Sequence, residues 1–236
     1  MGETISALEA LERLRSLPTF TSGSVAIDRL LGGGFRAGRL AEVYGSSGSG
    51  KTQLAMQAAL HVAAKGERAV FIDTEGGFRP ERVQTMAKAR SLTSDGLLDR
   101  IAYVRVTSAA SQLDTVRAIA KREDTASARF VAIDTFTINF SLDYPGRTNL
   151  QSRQGGLDVL LSEIARDAFL HGRAYLLTNR VTFAQNGGEA RIGGRTMEQL
   201  VHCSLHFEKT RDGVTATRMS DLMSARLGQI GDAGLQ

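Results

Sequence analysis

Cysteine is almost absent from this chain: Cys203 is the only one in 236 residues. No internal disulfide can form, which fits a reducing compartment, and the lone thiol is expected to be packed as a small apolar side chain. Lysine is nearly as scarce, with only Lys51, Lys65, Lys88, Lys121 and Lys209 among 29 basic residues. Arginine, whose planar fork suits bidentate phosphate contacts, supplies the rest. No stretch approaches 18 uninterrupted apolar residues, and the opening from Met1 to Ser16 carries Glu3, Glu9, Glu12, Arg13 and Arg15. That pattern argues against a membrane span and a signal peptide, and the chain is expected in the cytoplasm. Low-complexity tracts are missing as well. What is present suits one globular domain able to bury a core, with 42% hydrophobic and 23% charged residues. The net charge of +4 is spread along the chain rather than gathered in one run, which suits anionic partners without identifying one.

Ser6 and Glu9 have capping-box spacing, and Ile5, Leu8, Leu11 and Leu14 recur every three residues. A short amphipathic helix ended by Pro18 is expected, so residues 1–18 are read as that helix and 19–236 as the core. Within the core, apolar strands at Leu40 to Tyr44, Ala69 to Asp73, Ile101 to Val106, Phe130 to Asp134 and Ala174 to Thr178 alternate with helical segments. Those run from about Gly50 to Ala64, Pro80 to Arg90, Ser111 to Arg122 and Asn149 to His171. The alternation predicts an α/β fold whose central sheet is mostly parallel and covered by helices on both faces. The end departs from it. Val201, Cys203, Leu205 and Phe207 alternate with His202, Ser204, His206 and Glu208, a half-buried strand whose partner follows at Val214 to Met219. This predicts an antiparallel C-terminal hairpin, on which Cys203 points away from His202 and His206 and cannot share a metal with them.

The string Gly45-Ser46-Ser47-Gly48-Ser49-Gly50-Lys51-Thr52 matches G-x-x-x-x-G-K-[ST] and lies between a predicted strand and a predicted helix, the context the motif requires. Its glycines let successive N–H groups turn toward phosphate oxygens, and the helix N-terminus adds partial positive charge. Lys51, expected to stand exposed in the loop, would reach the β and γ phosphates of ATP, and the Thr52 hydroxyl would bind Mg²⁺. Asp134 ends the run Phe130-Val131-Ala132-Ile133 and delivers a carboxylate to the same sheet edge, as the second Mg²⁺ group. Glu75 follows the strand that ends at Asp73, on the carboxyl edge where ligands of open α/β sheets bind, and a carboxylate there can orient or deprotonate water.

The segment Phe71-Ile72-Asp73-Thr74-Glu75-Gly76-Gly77-Phe78-Arg79-Pro80-Glu81-Arg82 resembles the stretch after the second core strand of RecA/RadA recombinases. The likeness extends to Thr21-Ser22-Gly23-Ser24, to Thr178-Asn179 and to Gly193-Gly194-Arg195, and so covers nearly the whole chain. It implies a RecA-type P-loop ATPase core using ATP and Mg²⁺, with Glu75 and Lys51 catalytic, Gly45 through Gln53 around the nucleotide, and Arg82 stacked on adenine. It also implies two DNA loops. The first contains Asp143-Tyr144-Pro145-Gly146-Arg147, with Arg153 just beyond; the second runs from about Thr182 to Gly194. Arg147, Arg153, Arg191 and Arg195 are the expected DNA contacts. The second loop has Gly187, Gly188 and Gly193 and no secondary-structure period, which suits a binding loop, although Glu189 offsets Arg191.

Departures from the family pattern point to one branch of it. Only about 18 residues precede the core, without a helical DNA-binding domain or a Phe-x-x-Ala docking string, and Glu75-Gly76-Gly77-Phe78 resembles the core-only RadB-like paralogues of archaea. Arg180 stands where recombinases carry Gln, and either holds the γ-phosphate as a donor fork or is itself held by Glu75 or Asp134. Asp221 matches the family's cap Asp, but Leu222 and Met223 stand where its Pro is expected. The resemblance thus implies an ATP- and DNA-binding accessory factor of homologous recombination and DNA repair with slow hydrolysis, partnered by a main recombinase of the same family and by further copies of itself. Two other readings stay open: an autonomous filament-forming strand-exchange recombinase, and a KaiC-like signalling or assembly ATPase that does not bind DNA.

Overall fold

A computed structural model describes residues 4–92, 96–183 and 189–236, with the backbone alone at 183, 189–190 and 194–196. Helix α1 (Ala7–Ser16) begins where the Ser6 hydroxyl accepts the Glu9 N–H at 3.1 Å. Its apolar side is left uncovered, with Leu8, Leu11 and Leu14 all exposed. The core opens with a ribbon of β1 (Thr19–Phe20) and β2 (Phe35–Arg36) around α2 (Val25–Leu30), pieces too short to give a hydrophobic period.

The main sheet follows from the buried apolar runs. Its strands are β3 (Leu40–Gly45), β4 (Arg68–Asp73), β5 (Ile101–Arg105), β6 (Ala128–Asp134), β7 (Ala174–Phe183), β8 (Glu189–Arg191), β9 (Cys203–Thr210), β10 (Gly213–Arg218) and β11 (Ser224–Leu227). Their order is β11-β10-β9-β3-β7-β6-β4-β5, with β8 pairing β7. All pairs from β9 to β5 are parallel, and β10 and β11 continue antiparallel. The expected hairpin is therefore β9–β10, extended by β11 and stitched to the parallel sheet through β9, which runs parallel to β3.

Both faces are covered, as the strand–helix alternation requires. On one face α3 (Lys51–Ala64) and α4 (Pro80–Ala89) bring Leu54, Ala58 and Met86 into a cluster with Phe71 and Phe130. On the other, α5 (Ala109–Ala118) and α7 (Leu150–His171) bring Val116, Leu160 and Ile164 together with Val70, Val131 and Tyr175. Two expectations need correction. β7 does not stop at Thr178 but continues to Phe183, and β8 returns antiparallel to it with Val181 opposite Arg191, so part of the expected second loop is a ribbon. Residues 184–188, including Gly187 and Gly188, lie outside the described residues. The first loop begins later than expected, because Asp143 is the last residue of a short helix, α6 (Ile138–Asp143), and its carboxylate accepts the Ala109 N–H at 2.7 Å. The last helix is α8 (Gly194–Leu200). Among the described residues no helix is long and apolar enough to cross a membrane.

Candidate functional site

Strand β3 is buried along its whole length and ends at Gly45, where a β carbon would sit 2.1 Å from the Phe207 carbonyl oxygen of β9. Only glycine permits that approach. Gly50 holds φ 94° as it enters α3, the left-handed turn that aims the loop's N–H groups inward. Lys51 is not exposed, contrary to the sequence expectation. Its side chain is folded back into the loop, where Nζ donates to the carbonyls of Gly45 (2.8 Å) and Ser46 (2.7 Å) and to Ser49 Oγ (3.4 Å). A buried ammonium needs acceptors, and the tight loop supplies them from its own backbone.

Across the cavity stand three carboxylates on the carboxyl edge of the sheet. Asp134, at the end of β6, is buried and accepts hydrogen bonds from the hydroxyls of Thr178 and Thr52. Burial raises its pKa, those bonds oppose the rise, and the nearby Glu75 and Asp73 add to it. A divalent cation beside Thr52 and Asp134 would relieve that charge crowding, so the donor set fits Mg²⁺. Asp73 was read only as a strand end. Burial alone would raise its carboxyl, but the N–H groups of Phe78, Gly76, Gly77 and Glu75 outweigh that and hold it below the ordinary range. Those bonds, at 2.6–3.2 Å, shape the turn that carries Glu75. An Asp three residues before a Gly-Gly pair is the sequence signal for such a turn.

Glu75 itself is held by Arg180 from β7, which approaches it with both Nε (3.1 Å to Oε1) and Nη2. The phosphate loop, apart from Ser49, with Gln53, Glu75, Thr135 and Arg180 thus surrounds one cavity of about 500 Å³, whose apolar part is Met56, Val181 and Ile230. That volume suits a nucleotide. Arg82 lies at its flank with its Nε donating to Gln53 Oε1 (2.9 Å) and its terminal nitrogens to the carbonyls of Gly231 and Asp232. These bonds hold the guanidinium by all three of its nitrogens. The segment that fixes it is anchored in turn by Gln57, which pairs with the Leu235 backbone at 2.9 and 2.8 Å, and by Arg90. No periodicity in the sequence announced this tail as part of the site.

A family model described as Rad51 matches residues 13–225. The chain belongs to the Rad51 family. Members of that family are RecA-like ATPases of recombination and repair that use ATP and Mg²⁺. Within this Rad51-family chain the expected DNA residues fare differently. Arg147 is exposed in the turn after α6, and Arg153 sits half-buried in the first turn of α7. The next residue, Gln154, donates to the Gly193 carbonyl at 3.0 Å, which ties the start of α7 to the end of the second loop. Arg191 already has partners within the protein. Its guanidinium is committed to the buried Glu42 (3.0 Å), to Ser204 (3.2 Å) and to Glu198 (3.2 Å), because Glu42 lies inside β3 and needs a counter-charge. The Arg195 side chain lies outside the described residues. Asp221, the expected cap residue, is gripped by Arg218 and accepts the Met223 N–H at 3.3 Å. The three residues of the apparent metal cluster turn to different neighbours: His202 Nδ1 accepts from Leu40 N (3.3 Å), His206 stacks on Tyr44, and Cys203 is half-buried near the Leu30 carbonyl.

Proposed function

We propose that this chain is a RadB-like accessory factor of homologous recombination: it binds ATP with Mg²⁺, binds DNA through the first loop around Arg147 and Arg153, hydrolyses ATP slowly, and assists a main recombinase of its own family. The observation that carries this reading is the two-point ion pair between Arg180 and Glu75. Glu75 is the group expected to activate water, and a carboxylate occupied by a guanidinium is a poor base. Arginine also has no acceptor with which to orient that water, whereas the family's glutamine does. Thr52 and Asp134 would hold the cation, Lys51 would exchange its loop carbonyls for phosphate oxygens, and Arg82 would lie along the base. When bound, Mg²⁺ supplies neutralisation of phosphate charge.

The test is Arg180→Gln. Both carboxylate oxygens of Glu75 are then freed, and DNA-stimulated ATP turnover should rise by about a hundredfold, the lower end of what a general base contributes. Because the pair is partly exposed, the melting temperature should change little. Turnover that stays at the wild-type rate in a variant of wild-type stability would overturn the role given to the pair. Long filaments and strong DNA-stimulated turnover by the unaltered chain would instead assign it to the main recombinases.

A further inference from the structure

The arginines that looked scattered along the chain are collected by the sheet. In parallel pairing every strand start lies on one edge, opposite the edge that carries the phosphate loop. Ala174, Phe130, Ala69 and Ile101 are matched in register across β7, β6, β4 and β5. The residue before each of them is an arginine: Arg173, Arg129, Arg68 and Arg100. On β3, Leu40 is matched to Tyr175, which places Arg39 within one residue of the same row, and Arg36 stands one turn earlier. Arg173 is spent inside the protein, buried against Asp167 and the carbonyls of Ala128 and Ala126. The others differ. Arg39 and Arg68 are exposed and Arg36 and Arg129 half-buried, and among the described residues none of these four forms a salt bridge. The acids of the same turns are few, Glu67 and Asp99; nearby Asp124 is held by a two-point pair with Arg122 at 3.0 and 2.7 Å and also feels the charge of Arg68, while Arg129 donates to the His171 carbonyl at 3.5 Å.

We propose that this edge is a second nucleic-acid surface, which tracks the phosphate backbone of a duplex on the opposite side of the molecule from the two family loops. Strands lie about 4.8 Å apart, so the row from β3 to β5 spans roughly 19 Å. That length covers about six nucleotide steps of one duplex strand at 3.4 Å each. With Arg173 spent on β7, the row offers guanidinium groups from β3, β6 and β4, and guanidinium forks suit phosphate oxygens. The turns that form the row, 36–39, 65–68, 99–101 and 128–129, contain no aromatic residue. They therefore lack the stacking platforms by which single strands are held, and the fit is to a duplex. The surface is independent of the ATP site, since none of its residues lines that cavity.

The test compares three proteins of equal melting temperature by duplex binding across a salt series: the wild type, the edge variant Arg39→Gln/Arg68→Gln/Arg129→Gln, and the loop variant Arg147→Gln/Arg153→Gln. Removing three phosphate contacts should flatten the salt slope of the edge variant by about 2.7, so that between 50 and 200 mM salt the wild type loses about 40-fold more affinity than the variant. Loss in the loop variant should be additional and separate. An edge variant with the wild-type slope overturns the proposal, as does a wild type that binds no duplex at the lowest salt. Poly-glutamate of matched charge supplies the remaining outcome: an edge variant that loses poly-glutamate binding while keeping its duplex slope makes this an acidic-protein surface and not a nucleic-acid one.

Discussion

Lys51 is the residue on which the proposed nucleotide binding turns, and its surroundings change what its loss should do. With Nζ bonded to two carbonyls of the empty loop, the ammonium is a structural tie as well as a phosphate ligand. Lys51→Ala should therefore cost a small amount of stability without nucleotide, on the order of 1 kcal/mol for the lost bonds. It should also abolish stabilisation by ATP. At 100 times its dissociation constant a ligand adds about 2.7 kcal/mol to a protein that binds it. Thermal melts with and without ATP and Mg²⁺ check both parts, and an equal ATP-induced rise in the variant would remove Lys51 from the site. Asp73 illustrates a quieter residue role. It touches no expected ligand, yet four backbone bonds to its carboxylate set the turn on which Glu75 stands.

At the scale of elements, the end of β7 joins the candidate nucleotide cavity to the stretch expected to be the second DNA loop. Asn179 accepts from the Thr137 hydroxyl at 2.8 Å and donates to Glu42 (2.9 Å) and to the Ile192 carbonyl, and Glu42 in turn holds Arg191 of β8. Burial pushes the Glu42 carboxyl upward, against the bonds from Asn179, Arg191 and Ser204 that favour its charged form. Breaking such a pair from one side leaves a buried charge behind. Arg191→Ala should thus destabilise the protein by about 3 kcal/mol. Denaturant unfolding measures it, and a loss below 1 kcal/mol would show that the network is dispensable. The same variant separates structure from recognition, because an arginine committed to Glu42 should leave the salt slope of DNA binding unchanged once stability is allowed for.

For the whole molecule, stability should depend on acid through His61. This residue, on α3, is held down to about 4 by burial and then by the charge of Arg90, whose guanidinium meets its Nε2 at 3.3 Å. The unfolded chain takes up the proton near pH 6.5 and the folded one does not until about 4, so there is no effect above 6.5 and stability falls as pH drops through that window. Unfolding midpoints measured from pH 7 to pH 4 should decline less steeply in His61→Gln. Identical slopes would place the acid sensitivity elsewhere. Arg90 also grips the carbonyls of Ala233 and Leu235, so the same contact links the tail beside the nucleotide cavity to the main core.

Some of this was legible in one dimension. The phosphate loop, Asp134 and Glu75 could be placed because each belongs to a local string whose strand and helix context also lies in the sequence. The parallel sheet followed from apolar runs alternating with helices. Other features were not legible, for stated reasons. Short pieces such as β1, β2 and α6 have no period to read, and β11 follows a hairpin that already seemed complete. Whether Arg191 met phosphate or Glu42 depended on a residue far away in sequence, and the exposure of Lys51 depended on how the loop's carbonyls turned. Arg180 could be narrowed to phosphate or carboxylate, and only the packing of β7 beside the turn after β4 placed it on Glu75. Charge shows the difference most plainly. By itself the sequence determined that this protein is basic, rich in arginine and built around a phosphate loop. Parallel pairing alone decided that arginines separated by tens of residues begin neighbouring strands in one register, because every parallel strand must start on the same edge.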